Sequence, residues 1–191
     1  MNPSTASLVL LSCGTGAQIA ALQAAAAAPL ALALQLSLHH GLAAGPGSDH
    51  GGAAQQALAA LPAASLAVLP LDPGLPLGAG QGHWAAQLGA ARQPCLLLLS
   101  AEQAASGVPA AATALLLQWR VPLLGVAQWG GQWDAVARRH DGLPWLGWLD
   151  DGAGVDAQPV AEPADGTEAL VLSTRLRWRQ LLAELSRAEL S

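Results

Sequence analysis

Gln93-Pro94-Cys95-Leu96-Leu97-Leu98-Leu99-Ser100 decides the fold. Five consecutive apolar residues bounded by Pro94 and Ser100 are too short for a helix. They do not alternate with polar residues, as a half-exposed strand would. They read as a strand buried on both faces, the kind found in parallel sheets covered by helices. Similar runs recur outward in both directions: Leu8 to Leu11, Leu30 to Leu38, Ser65 to Leu71, Val121 to Ala127 and Pro144 to Leu149. Between them lie segments rich in strong helix formers: Ala17 to Ala28, Ala53 to Leu61, His83 to Ala91, Pro109 to Trp119 and Gln132 to Arg139. The alternation predicts an α/β domain, three-layer and doubly wound, with a mostly parallel sheet of about six strands. Pro29 is expected to end the first helix.

The domain expectation is residues 1–149 as one α/β unit, then an acidic linker over 150–170. Six carboxylates fall there without a basic residue: Asp150, Asp151, Asp156, Glu162, Asp165 and Glu168. Val171-Leu172 offers one more short strand. A helix within 171–191 is expected to start at Thr174 and dock through Trp178, Leu181, Leu182 and Leu185, which follow i, i+3, i+4, i+7 spacing.

Composition narrows the chemistry. The chain has 191 residues and a net charge of −5, with only 11% charged residues; all 8 basic residues are arginine. The acidic balance argues against nucleic acid as a partner. Without lysine there is no Schiff-base chemistry and no lysine-dependent phosphate loop. There are 7 Trp but no Phe or Tyr. Depletion of Phe, Tyr, Met, Ile, Asn and Lys, all with AT-rich codons, points to a GC-rich genome, so Trp is expected to serve as the core aromatic. Cys13 and Cys95 have no metal-ligand spacing and read as buried thiols in a reducing, cytoplasmic setting. Ala17 to Leu38 is apolar enough to suggest a membrane span, but glutamines and Pro29 interrupt it. Met1-Asn2-Pro3-Ser4-Thr5 lacks the basic start of a signal peptide, so no membrane is expected.

Gly14-Thr15-Gly16 lies where a strand turns into a helix, and backbone amides at a helix N-terminus attract anions. Neither nucleotide fingerprint is complete: Ile19 stands where a second loop glycine or a dinucleotide-type third glycine would fall. His39 and His40, with Asp49 or His50, are read as loop histidines rather than a metal set. Ser100 is read as a cap rather than a nucleophile, since its flanks form no nucleophile elbow. Trp119, Trp129, Trp133, Trp145 and Trp148 are assigned to packing. The exception is the Trp129-Gly130-Gly131-Gln132-Trp133 loop, at the strand ends where open α/β sheets hold ligands. Arg175, Arg177 and Arg179 are read as a solvated face at the start of the last helix, in preference to an anion partner.

The order of elements from Leu66 to Leu149 resembles dethiobiotin synthetase, an enzyme family with the phosphate-loop ATPase fold. The resemblance rests on Leu66-Ala67-Val68-Leu69-Pro70-Leu71-Asp72-Pro73-Gly74, on Pro94-Cys95-Leu96-Leu97-Leu98, on Ser106-Gly107-Val108 before a long helix, on Leu124-Gly125-Val126-Ala127-Gln128-Trp129, and on Pro144-Trp145-Leu146-Gly147. It implies an ATP-dependent carbon–nitrogen cyclo-ligase with ATP and magnesium as cofactors. The nucleotide would lie at Gly14, Thr15, Gly16, Gln128 and Trp129, and the metal at Asp72. The family's loop lysine and its adenine-reading asparagine are missing. The expectation is therefore a homologue with an eroded nucleotide site; the alternative is a non-catalytic α/β interaction or scaffold protein. Its partners would be a small molecule or nucleotide and a second copy of the chain.

Overall fold

A computed structural model describes residues 7–42, 50–77, 82–150 and 166–188. Asp49, the first five residues and the acidic stretch from Asp151 to Asp165 lie outside the described residues, as does the side chain of His50. The strands are β1 (Leu8–Leu11), β2 (Ser37–His39), β3 (Ser65–Val68), β4 (Cys95–Ser100), β5 (Leu123–Trp129) and β6 (Trp145–Leu149). The helices are α1 (Gly16–Leu34), α2 (His50–Ala59), α3 (Trp84–Ala90), α4 (Ala101–Ala104), α5 (Val108–Gln118), α6 (Ala135–His140) and α7 (Gly166–Ala188).

All six strands form one parallel sheet in the order β2-β3-β1-β4-β5-β6. Strand residues alternate between two cores. Leu8, Leu10, Leu96 and Leu98 pack against α1 and α7, whereas Val9, Leu11, Leu97 and Leu99 pack against α2, α3 and α5. Both faces are covered, so the central strands are apolar apart from Ser65, Ser100 and Gln128 at or near their ends, as the continuous apolar runs predicted. From β1 the chain leaves toward β2 across one face, and from β4 toward β5 across the other. Their diverging connections open a crevice at the C-terminal ends of β1 and β4.

Three boundaries differ from the sequence expectation. First, α1 runs through Pro29 to Leu34, so Leu30 to Leu34 is helix and β2 is only Ser37–His39. Pro29 and Ala25, whose carbonyl loses its partner, are both exposed. The cost of an interior proline is about 3 kcal/mol, and here the freed carbonyl faces water. The buried stripe Ile19, Leu22, Ala26, Leu30 and Leu34 continues past it. The helix ends one turn later, with Gln35 left-handed (φ 60°) and a Schellman pair: Leu36 N–H to Ala31 O at 2.9 Å and Gln35 N–H to Leu32 O at 3.1 Å.

Second, α7 begins at Gly166 rather than Thr174, and Val171-Leu172 is helix, not strand. The face Leu170, Thr174, Trp178 and Leu182 is buried at every fourth residue, and Glu168 in the first turn suits the positive end of the helix dipole. The linker expected over 150–170 therefore overlaps the first turn of α7. Third, Arg175, Arg177 and Arg179 lie in the middle of α7 rather than at its start.

α1 is long and apolar enough to cross a bilayer. Here it lies along the sheet, with the face from Leu22 to Leu34 against β2 and β3.

Candidate functional site

The loop after β1 is only Ser12 to Thr15, and polar side chains from three segments close it. Asp72 accepts from Gly14 N through Oδ2 and from Gly74 N through Oδ1, both at 2.9 Å. Thr15 caps α1 in a capping box: its N–H donates to Gln18 Oε1 at 2.9 Å, and Gln18 N donates to Thr15 Oγ1 at 3.3 Å. Gln103 donates from Nε2 to Cys13 O at 2.6 Å. Gln103 belongs to a second capping box, with Ser100 at the start of α4. The two boxes face each other across the switch point, and Ser100 is a cap, as expected.

These bonds bear directly on the anion expectation. A phosphate cradle needs several unengaged amides aimed at one point. The amides of Gly14 and Thr15 already serve Asp72 and Gln18, and the Asp72 carboxylate lies in hydrogen-bond contact with the loop. Each oxygen of Asp72 holds a backbone amide, so the residue expected at the metal instead ties the β3 exit to the β1 exit. Among the described residues, no group of three or more His, Cys, Asp or Glu side chains converges. In this arrangement the Gly14 and Thr15 amides and both oxygens of Asp72 are taken up by bonds within the chain. Cys13 lies beneath this loop with its thiol pushed up to about 12, first by burial and then by the Asp72 charge. Cys95, wholly buried, is raised for the first of these reasons. Both are neutral thiols at physiological pH.

Beside the loop, a crevice of about 460 Å³ is lined by Gln18, Leu22, Ser100, Glu102, Gln103 and Trp129 among others. Glu102 is its sole charged residue among those described. Trp129, half-buried at the end of β5, thus reaches the crevice edge as expected. Gln128 does not. Adjacent strand residues point to opposite faces, and Gln128 is fully buried on the other side. Its Nε2 donates to Gly130 O at 2.9 Å and Gln132 O at 3.2 Å, and its Oε1 accepts from Arg138 Nη2 at 3.2 Å. Each polar atom of its amide is engaged with the loop or with α6.

Arg138 of α6 organises this second region. Its Nη1 donates to Ala104 O at 2.7 Å, and its guanidinium lies 4.6 Å from the centroid of Trp145. Trp133 stacks on Trp148 at 5.4 Å and meets Trp145 edge-on at 5.8 Å. Trp129 and Trp145 pack against the two cores, as expected, whereas Trp133 and Trp148 pack on each other. The fully buried tryptophan is Trp84, Trp178 is nearly so, and the five between Trp119 and Trp148 are half-buried or exposed.

Sequence reading missed Gln103 and Arg138. The Thr15-x-x-Gln18 and Ser100-x-x-Gln103 patterns are capping-box signatures and could have exposed the paired boxes. Arg138 carries no such signal, because its partners are backbone and side-chain atoms distant in sequence. No family, curated protein or solved structure matches this chain.

Proposed function

We propose that this chain is a cytoplasmic, non-catalytic α/β interaction protein, related in design to dethiobiotin synthetase, whose β1 loop has given up phosphoryl transfer. The observation that carries this reading is the closed loop. Phosphoryl transfer needs cationic and backbone donors held open for the transferring group, and here Asp72 and Gln18 consume the amides of Gly14 and Thr15. The crevice beside it then serves a small polar molecule without phosphate, or a segment of a partner, and a second copy of the chain is the expected assembly.

One observation favours the other reading, an ATP-dependent ligase that survives without its lysine. The half-buried indole of Trp129 lines a crevice at the topological switch point, where a base could stack. Titration with magnesium-ATP and with ADP, read by tryptophan fluorescence and by melting temperature, separates the two. A flat response at millimolar nucleotide is expected. A saturable shift that Trp129→Leu abolishes would instead restore the ligase reading, with an assay of ATP-dependent ring closure to follow.

A further inference from the structure

The outer face of α7 carries a stripe that no contact within the chain uses. Glu168, Leu172, Leu176 and Arg179 stand at i, i+4, i+8 and i+11, so they share one side of the helix. That side is turned away from the buried row of Leu170, Thr174, Trp178 and Leu182. All four residues of the stripe are exposed, Leu172 at 61% and Leu176 at 51%. Leu32, near the end of α1, widens the apolar patch at 80% exposure. The next residue, Ala33, accepts from Arg175 Nη2 at 3.1 Å, which sets that end of α1 beside the middle of α7.

The solvent face of a surface helix is normally polar throughout. Here the polar residues stand only at the two ends of the stripe, and their charges are opposite. Glu168 lies about 16 Å from Arg179 along the helix, too far for the two to pair. Among the described residues neither forms an ion pair. A negative end, a positive end and leucines between them make a pattern that complements itself when reversed. A two-fold axis between Ser173 and Thr174 sets Glu168 against Arg179 of a second copy, twice over. The same axis brings Leu172 and Leu176 onto the outer face of the other α7. Glu168 and Arg179 lie on the same flank of the leucines, and like flanks meet in an antiparallel pair of this symmetry. Arg175, the charge nearest the axis, is half-buried and bonded to Ala33 O, so it is held on the α1 side.

We propose that this face pairs with a second copy of the chain, α7 antiparallel to α7, covering Leu32, Leu172 and Leu176 and joining Glu168 to Arg179 at both ends. The proposal rests on the interaction-protein reading above and gives it a surface. The shared length is about 24 Å and one helix wide, the scale of a reversible contact rather than an obligate one.

The test is sedimentation velocity of the full chain at low salt, from about 1 to about 500 µM. A reversible monomer–dimer equilibrium is expected. All substitutions fall at exposed positions, and thermal unfolding at the lowest concentration checks that each variant folds. Leu176→Gln should weaken the dimer about tenfold. Glu168→Arg and Arg179→Glu should each weaken it about tenfold by facing like charges, and the double variant should recover the parent affinity. A dimer unchanged by Leu176→Gln, or a double variant no tighter than either single one, overturns the proposal and leaves a second copy bound through another face. A chain still monomeric at about 500 µM overturns both the proposal and the expected assembly. The nucleotide titration then still decides the non-catalytic reading by itself.

Discussion

The loops that follow β1 and β5 leave the same edge of the sheet on either side of β4, and they are closed by opposite chemistry. After β1, side-chain oxygens of Asp72 and Gln18 capture backbone amides. After β5, the side-chain amide nitrogen of Gln128 captures the carbonyls of Gly130 and Gln132, and Arg138 reaches the carbonyl of Ala104. The first closure takes up the Gly14 and Thr15 amides that an anion at this loop would use. The second, built on the consecutive left-handed residues Gly130 and Gly131 with φ of 67° and 64°, turns carbonyls inward and leaves Trp133 outside to stack on Trp148. Strand order alone makes the two exits look equivalent. Side-chain polarity then decides which backbone groups each closure takes up, amides after β1 and carbonyls after β5.

The comparison breaks most visibly at Gln128. Gln128→Ala removes both carbonyl contacts and the acceptor for Arg138, leaving a guanidinium short of a partner in a partly buried setting. We expect a loss of about 3 kcal/mol of stability, measured as the shift in urea midpoint at unchanged slope. Gln103→Ala, which releases Cys13 O and Ser100 N at a more open site, should cost about half as much. Equal costs would mean that burial of the β5 loop network contributes nothing beyond bond count.

The sheet was legible because its strands are buried on both faces, and continuous runs such as Leu96 to Leu99 have no other economical explanation. The ends of α1 and α7 were not. A proline or an acidic glycine-containing stretch reads locally as a stop, whereas the buried stripe Ile19 to Leu34 carries α1 past Pro29, and the stripe Leu170 to Leu182 accompanies a helix that starts at Gly166. The site was half legible. Position along β5 correctly brought Trp129 to the crevice, but strand alternation sends its neighbour Gln128 to the opposite face, so the two could not act together. The roles of Asp72 and Arg138 depend on contacts with residues far along the chain, which spacing cannot supply.

Glycine substitutions sharpen the contrast at smaller amplitude. Gly131 has φ 64°, and a Cβ there would lie 2.5 Å from Cβ of Ala101 at the start of α4. That neighbour has no torsion with which to retreat. Gly14 has φ 118°, and its added Cβ would meet Gln18 Oε1 at 2.8 Å and Gln103 Nε2 at 3.2 Å, both at the ends of flexible side chains. Each change carries the backbone cost of a left-handed residue, about 1 kcal/mol. Gly131→Ala should therefore cost about 2 kcal/mol and Gly14→Ala about 1 kcal/mol in thermal or urea unfolding. The reverse order would show that the Gln18 and Gln103 boxes are the stiffer of the two closures.

The smallest effect tests the electrostatics of the β1 loop. Asp72→Asn replaces one acceptor oxygen with an amide that faces a backbone N–H, so one of the contacts to Gly14 and Gly74 is lost, at a cost below about 1 kcal/mol at this half-exposed position. It also removes the lesser of the two causes that raise Cys13 from 9.0 to about 12. A raised thiol means that the unfolded chain loses its proton first. Stability is therefore complete below pH 9.0 and falls as pH climbs toward about 12. Cys95 acts in the same direction. Melting temperature followed from about pH 8 to about pH 11 should show this alkaline decline, and Cys13→Ala should make it shallower. Asp72→Asn should change it less than Cys13→Ala does, because burial rather than the carboxylate is the larger cause. A decline in Asp72→Asn as shallow as that of Cys13→Ala would reverse that ranking and make the carboxylate the dominant charge on the thiol.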